Sequence, residues 1–121
     1  MNNQEFKRQP IERSKSFSLE IWNFLDTLPK NSFSLVIIAK QLLRSATSIG
    51  ANIIEAQASS SKKDFINFLH HALKSANETR YWLELLLESG KVDNKNNYLL
   101  KEAIELSNIL GSIILSLKGR K

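Results

Sequence analysis

The sequence predicts an all-α protein whose four helices form an antiparallel up-down-up-down bundle. Apolar side chains recur at spacings of three and four residues along four long segments, the pattern of helices that bury one face. The 121 residues include only four glycines and two prolines, and no segment alternates apolar and polar residues as a strand would. The breaks between the four segments are short, which makes consecutive helices antiparallel neighbours.

The first two helices are predicted from apolar stripes and the breaks beside them. Helix 1 is expected from Ile11 to Leu28, where Pro29 ends it. Helix 2 is expected to be capped by Ser34 and to extend to about Ala58. The stripes comprise Phe17, Ile21, Phe24, Leu25 and Leu28 in the first helix, and Leu35, Ala39, Leu42, Ala46, Ile49, Ile53 and Ala56 in the second.

The last two helices have clearer boundaries. Ser61 with Asp64 resembles a capping box that begins helix 3, and the Ser89–Gly90 pair ends it. Helix 4 begins at Asp93–Asn94 or a neighbouring asparagine. Their stripes comprise Phe65, Leu69, Ala72, Ala76, Leu83 and Leu86, and then the heptad series Leu99, Ala103, Leu106, Leu110, Ile113 and Leu117.

Composition restricts the class of protein further. The chain has no cysteine, which excludes a disulfide framework, a thiolate metal site and a cysteine nucleophile. Every apolar stretch is interrupted well before the ~20 residues that a membrane helix needs. We therefore expect a cytoplasmic protein that does not contact a membrane. Its predicted organisation is a flexible basic N-terminal tail over residues 1–10, a bundle domain over 11–118 and a basic C-terminal tail over 119–121.

Motifs for catalysis or metal binding are missing from the sequence. No glutamate has a histidine three positions later, which is the spacing of di-iron sites in bundles. His70 and His71 are adjacent, so a helix directs them about 100° apart, and we expect one to be partly buried and the other to lie on the surface. Neither histidine has an arginine shortly before it, as some four-helix ribonuclease toxins do, and the sequence contains no Gly-rich phosphate loop or Gly-x-Ser-x-Gly elbow. The sequence predicts a protein that is not an enzyme and binds neither metal nor cofactor.

Helix 4 carries more apolar surface than one seam needs. A second set of apolar side chains lies beside the heptad series, and Ser107 and Gly111 would permit close backbone approach there. Two interpretations remain open: a broad arc that faces the core, or an interface with another subunit. The second set comprises Leu100, Ile104, Ile109, Ile114 and Leu115.

A polar stripe follows helix 2, where Gln41, Ser45, Ser48, Asn52 and Glu55 are spaced by four and three residues. Antiparallel pairing about Ser60 places Arg44 beside Ala76 to Glu78. One interpretation is a structural polar network of Arg44, Ser48, Asn52, Glu55 and Glu78, in which losing one partner of a buried ion pair costs ~3 to 5 kcal/mol. The other is a solvated stripe with surface pairs worth under ~1 kcal/mol.

Three segments resemble the bacterial four-helix-bundle proteins encoded in intervening sequences of 23S rRNA genes, the S23-like family. These segments are Gln41 to Ala56, Lys62 to Phe65 and Ala72 to Leu83. The linked residues Arg44, Ser48–Ile49, Asn52–Ile53, Glu55 and Glu78 carry the resemblance. It implies an up-down bundle that assembles as a homopentamer. A related accessory protein of diversity-generating retroelements is a basic pentameric bundle that binds nucleic acid and a reverse transcriptase, an analogy at the level of fold.

Positive charge is predicted to gather at one end of the bundle. That end of the predicted bundle contains the start of helix 1, the connection between helices 2 and 3, and the end of helix 4. It would carry the formal net charge of +5. Such a field attracts polyanions. The sequence therefore predicts RNA or DNA binding with little sequence preference; alternatives are basic termini that only aid solubility, and a scaffold that docks an acidic protein. The predicted cations are Lys7, Arg8, Arg13, Lys15, Lys62, Lys63, Lys118, Arg120 and Lys121.

Overall fold

The computed structural model describes the backbone of residues 3–119 and the side chains of residues 9–119. Within that range it contains four α-helices, one short 3₁₀ helix at Asn94–Asn96 and no strand. The all-α four-helix bundle predicted from the sequence is confirmed. The helices are α1 (Asn3–Asp26), α2 (Phe33–Gln57), α3 (Lys62–Glu88) and α4 (Asn97–Lys118).

Helices α1 and α2 run antiparallel, and their register follows from two close approaches. A Cβ placed on Gly50 would lie 3.4 Å from the Ser14 Cβ. The Ser18 hydroxyl, one turn later in α1, lies 3.4 Å from the Ala46 carbonyl oxygen, one turn earlier in α2. The two helices therefore approach closely at Gly50, and Ser14 lies at the same height along the bundle.

Helix α3 packs against both α2 and α4. The hydroxyls of Ser45 and Thr79 lie 2.9 Å apart in the buried seam between α2 and α3, and the Thr79 hydroxyl also lies 2.8 Å from the Ser75 carbonyl oxygen. At the other end of α3, Lys62 lines the same cleft as Lys118, the last residue of α4. The end of α4 is thereby placed beside the start of α3.

Helix boundaries differ from the sequence prediction mainly at the N-terminal side. Helix α1 begins at Asn3 and not at Ile11, so it includes residues 3–10 that the sequence assigned to a tail. Those residues are mostly polar and carry no apolar stripe, so spacing could not detect them. Helix α1 ends at Asp26, two residues earlier than predicted.

The caps of the later helices follow ordinary hydrogen-bond chemistry. Ser32, and not the predicted Ser34, caps α2 by accepting a hydrogen bond from the Leu35 amide at 3.4 Å. Ser61 caps α3 as predicted and accepts a hydrogen bond from the Asp64 amide at 3.1 Å.

The predicted apolar stripes form the core. Small side chains on the seams, Ala46, Ala72, Ala76 and Ala103, are fully buried and let the helices approach closely. The largest apolar side chains that are fully buried are Phe17, Ile21, Leu42, Ile49, Leu83, Leu99, Leu106 and Leu110.

The second apolar set on α4 divides between core and surface. Ile114 is only 4% exposed and belongs to the core, and Ser107 is buried with its hydroxyl donating to the Ala103 carbonyl at 3.0 Å. Leu115, by contrast, is 74% exposed. The broad arc is therefore partly core, and Leu115 is its outward-facing member.

Candidate nucleic-acid interface

Three of the predicted cations come together in a cleft between the start of α3 and the end of α4. Lys62 and Lys63 are the first two residues of α3, and Lys118 is the last residue of α4. The cleft has a volume of about 490 Å³, and no acidic side chain of residues 9–119 lines it. The described residues that line it are Lys62, Lys63, Ile66, Asn67, His70 and Lys118, and we call it the α3–α4 cleft.

Asn67 and His70 were not predicted to belong to this site. The sequence predicted only that one of His70 and His71 is partly buried, and the structure shows that His70 is that residue and that it lines the cleft with the lysines. Lys63, Asn67 and His70 follow one another at spacings of four and three residues, which places them on one face of α3. That spacing is the sequence signal that could have identified them.

Two other predicted cations lie away from the cleft. Ser14 lies beside Gly50, so its chain neighbours Arg13 and Lys15 lie at about the same height along the bundle axis. Gly50 precedes the α2–α3 connection at Ser60 by ten residues, about 15 Å along the bundle, so Arg13 and Lys15 are displaced from Lys62 and Lys63, and neither of them lines the cleft. Four more of the predicted cations lie outside the part of the chain that the structure describes. They are the side chains of Lys7 and Arg8 and the whole of Arg120 and Lys121.

Arg13 is also engaged by carboxylates of α4. Its Nε donates to Glu102 Oε2 at 2.7 Å and its Nη2 donates to Glu102 Oε1 at 2.8 Å, which is a bidentate pair. Glu105 accepts a further hydrogen bond from Nη2. The hydrogen bond to Glu102 raises the pKa of Arg13 above its ordinary value, burial partly opposes this, and the Glu102 charge adds to the rise. Arg13 therefore links α1 to α4 and does not project freely toward a ligand.

A larger groove of about 680 Å³ separates α1 from α4 near this ion pair. Ile109 and Ile113 supply its apolar surface, and Glu12, Arg13 and Glu102 supply charge. The two signs of charge are mixed along it, so the groove lacks the uniformly positive lining of the α3–α4 cleft.

The polar stripe on α2 is a surface feature at Arg44. Arg44 pairs with Glu78 across the α2–α3 seam, as counting about Ser60 predicted, and also donates to Gln41 Oε1 at 3.1 and 3.2 Å. The Trp82 indole donates to Glu78 Oε2 at 2.9 Å. The Arg44 side chain is 55% exposed and that of Glu78 is 34% exposed. The Arg44–Glu78 pair is therefore not buried, and the interpretation of a solvated stripe with surface pairs describes it.

The remaining members of the predicted network bond to their own helix or face solvent. The Ser48 hydroxyl donates to the Arg44 carbonyl at 2.7 Å, and the Asn52 amide donates to the Ser48 carbonyl at 2.9 Å. Glu55 is exposed. Ser45, which the spacing placed on the same stripe, is fully buried against Thr79. The structure thus joins Arg44 to Glu78 and leaves the stripe without a continuous side-chain network between Ser48, Asn52 and Glu55.

The described side chains offer no cluster for a metal ion. No group of three or more His, Cys, Asp or Glu side chains within residues 9–119 is arranged to hold one. His70 is half-buried and His71 is exposed, as predicted, and the His71 ring lies 6.2 Å from that of Phe68. None of the helices in the described range is long and apolar enough to cross a membrane.

Comparison with known proteins identifies the family. A crystal structure of a protein of unknown function from the S23 ribosomal protein family of Bacteroides thetaiotaomicron VPI-5482 is similar, with a TM-score of 0.82 and 40% sequence identity. The match covers 90% of this chain and 97% of that one. No curated protein matches the chain. The family model described as 23S rRNA-intervening sequence protein matches residues 7–112. The chain therefore belongs to the 23S rRNA-intervening sequence protein family, in agreement with the resemblance of its α2 and α3 segments.

Proposed function

We propose that this protein is a non-enzymatic accessory protein that binds RNA or DNA through phosphate contacts at the end of the bundle that holds the α3–α4 cleft. The observation that carries the proposal is the convergence of Lys62, Lys63 and Lys118 on a cleft that no described carboxylate lines. Phosphate contacts with lysine supply most of the affinity of sequence-independent binding. Arg120 and Lys121 follow Lys118 closely in the sequence.

Binding of this kind has little sequence preference. Sequence readout requires side chains that reach base edges, whereas stacking of bases on aromatic rings adds affinity with little sequence preference. The exposed aromatic side chains of the described chain, Trp22, Phe33, Tyr81 and Tyr98, lie outside the cleft lining. The cleft itself offers cations and two polar side chains, which suit a phosphate backbone common to all sequences.

The proposal is tested by a salt titration of binding to mixed-sequence RNA and DNA. If about five phosphates are neutralised, log K falls with log salt at a slope of about −4.5 on duplex DNA and about −3.5 on single strands. Absence of affinity below ~100 μM at low salt, the weak end of non-specific binding, contradicts the proposal. That result favours the competing hypothesis, a scaffold whose basic end docks an acidic protein partner.

The proposal includes self-association, as the homopentamer that the family resemblance implies. Its support on the molecule is Leu115 of α4, a large apolar side chain that is 74% exposed. Light scattering of the purified chain should give a mass well above that of one 13.8 kDa subunit. A mass equal to one subunit at micromolar concentration contradicts self-association.

A cytoplasmic location belongs to the same proposal. It is supported by the cysteine-free composition, which suits a reducing compartment, and by the nucleic acid that the protein is proposed to bind. Fractionation of cells that express a tagged chain tests it, and recovery in the cell envelope contradicts it.

A further inference from the structure

We propose that Asn67 and His70 complete the α3–α4 cleft as a seat for one phosphodiester group of the bound strand, with Lys63 and Lys118 supplying the charge. Both polar side chains line the cleft together with the lysines. The inference rests on the proposed function, and it adds two ligand-binding residues that charge alone does not identify.

The cleft collects hydrogen-bond donors from two helices. Lys63, Asn67 and His70 lie on one face of α3, and Lys118 approaches from the end of α4. An asparagine amide carries two N–H donors, a histidine ring at least one and an ammonium three. These donors face a group whose oxygens only accept, which is the chemistry of a phosphodiester.

The surroundings of these donors favour a negative group. Ile66 lines the cleft between the polar side chains and gives it an apolar part. Hydrogen bonds to a charged group are stronger where apolar surface displaces water. Among residues 9–119, the charged groups that line the cleft with His70 are Lys62, Lys63 and Lys118, and all three are cationic. A negative group seated there meets attraction from both helices.

The size of the cleft favours a strand over a free ion. Its volume of about 490 Å³ lies in the range of about 300 to 1,000 Å³ that is typical of sites for whole small molecules. That volume holds a phosphodiester together with the sugars on either side. The cleft is also open to solvent, so a polynucleotide can pass through it without its ends being enclosed.

The test compares matched pairs of variants that change the charge by the same amount at different positions. His70→Glu places a carboxylate in the cleft, whereas His71→Glu places one on an exposed neighbour that does not line it. Asn67→Asp and Asn77→Asp form a second pair, in which both native side chains are exposed and only Asn67 lines the cleft. Binding of a fluorescent single-stranded RNA and of duplex DNA is measured at one salt concentration by anisotropy.

Replacing one charge-assisted hydrogen bond by repulsion predicts a Kd that rises about tenfold or more for His70→Glu and Asn67→Asp. Asn77 lies ten residues from Asn67 on the same helix, which is about 15 Å along its axis and beyond the screening length at ~0.15 M salt, so the Kd of Asn77→Asp should rise by less than about threefold. His71 is closer to the cleft but does not line it, so the Kd of His71→Glu should rise clearly less than that of His70→Glu. Circular dichroism and melting establish that each variant is folded. If His70→Glu disturbs folding, the pair at Asn67 and Asn77 decides.

The outcomes separate the two proposals. If the unmodified protein binds and both members of each pair weaken binding equally, the phosphodiester seat is wrong and the proposed function stands. If the unmodified protein binds neither RNA nor DNA, both fall. Selective loss at Asn67 and His70 supports the seat.

Discussion

Arg13 is expected to stabilise the bundle without contributing to nucleic-acid binding, although its charge and its place in the sequence first assigned it to the interface. The bidentate pair with Glu102 spans α1 and α4, two helices that no short connection joins. The perturbation is a double-mutant cycle of Arg13→Ala, Glu102→Ala and the two together. Such a cycle isolates the energy of the pair from the effects of each truncation.

The coupling energy expected for the Arg13–Glu102 pair lies between two limits. Exposed ion pairs contribute about 0 to 1 kcal/mol, and hydrogen bonds to charged groups in protected sites contribute about 1.5 to 3 kcal/mol. The Arg13 side chain is 38% exposed and that of Glu102 is 24% exposed, so the protected value must be discounted for screening by solvent. The bidentate geometry raises the pair above a typical surface contact, and we expect a coupling of about 1 kcal/mol.

Urea unfolding measures this coupling from the midpoints, provided that the denaturant dependence of the free energy is unchanged. The ion pair that raises the pKa of Arg13 stabilises the fold from about neutral pH up to the ordinary arginine pKa, and this stabilisation is lost at high pH only as pH rises through the raised pKa. The coupling should therefore be equal at about pH 6 and about pH 9, where arginine stays protonated. A coupling below about 0.3 kcal/mol, the usual limit of additivity, would refute the structural role. A loss of nucleic-acid affinity for Arg13→Ala equal to that for Lys63→Ala would place Arg13 in the interface.

Three further predictions concern stability and assembly. Arg44→Ala and Glu78→Ala should each cost under ~1 kcal/mol in thermal or urea unfolding because the pair is at the surface; a loss of ~3 kcal/mol would indicate a buried pair. Gly90 has φ of +73° and open space where a Cβ would lie, so Gly90→Ala should cost about 1 kcal/mol from backbone conformation alone, and unchanged unfolding would contradict this. Leu115→Glu should reduce the mass found by light scattering while circular dichroism stays helical, whereas Ile114→Glu, in the core, should unfold the subunit.

Much of the fold could be predicted because the relevant signals are local. Apolar spacing located all four helices, and the short connection at Ser60 allowed Arg44 to be paired with Glu78 by counting residues. Spacing is silent where a helix is polar on all sides, so the first residues of α1 were missed. It also could not choose between Ser32 and Ser34 as the cap of α2, because the choice depends on backbone conformation, and Ser32 is the residue in the extended region.

The site was predicted less well because it depends on the register between distant helices. Grouping residues by bundle end treated Arg13 as a neighbour of Lys62, whereas the contact of Ser14 with Gly50 moves it along the axis. The bond to Glu102 could not be predicted, since no short connection fixes how α1 pairs with α4. Two glutamates three residues apart, Glu102 and Glu105, were the available signal for an acidic face on α4. Whether the Arg44–Glu78 pair is buried depends on how far each side chain turns toward solvent, and the spacing of residues along the sequence does not specify this.

If nucleic acid is held at the α3–α4 cleft by the position of its cations and not by net charge, removing those cations should weaken binding more than removing the same number of exposed lysines elsewhere. The most direct measurement compares a triple variant, Lys62→Gln, Lys63→Gln and Lys118→Gln, with a matched triple variant of exposed lysines elsewhere. The matched set is Lys40→Gln, Lys95→Gln and Lys101→Gln, which removes the same number of charges.

The affinity of both variants for mixed-sequence RNA and duplex DNA is then measured across a range of salt. A localised interface predicts that the cleft variant loses about 2 to 3 from the magnitude of the log K against log salt slope, at ~0.7 to 0.9 per phosphate contact. The matched variant should keep a slope close to that of the unmodified protein. Equal slopes for the two variants would contradict a localised phosphate interface.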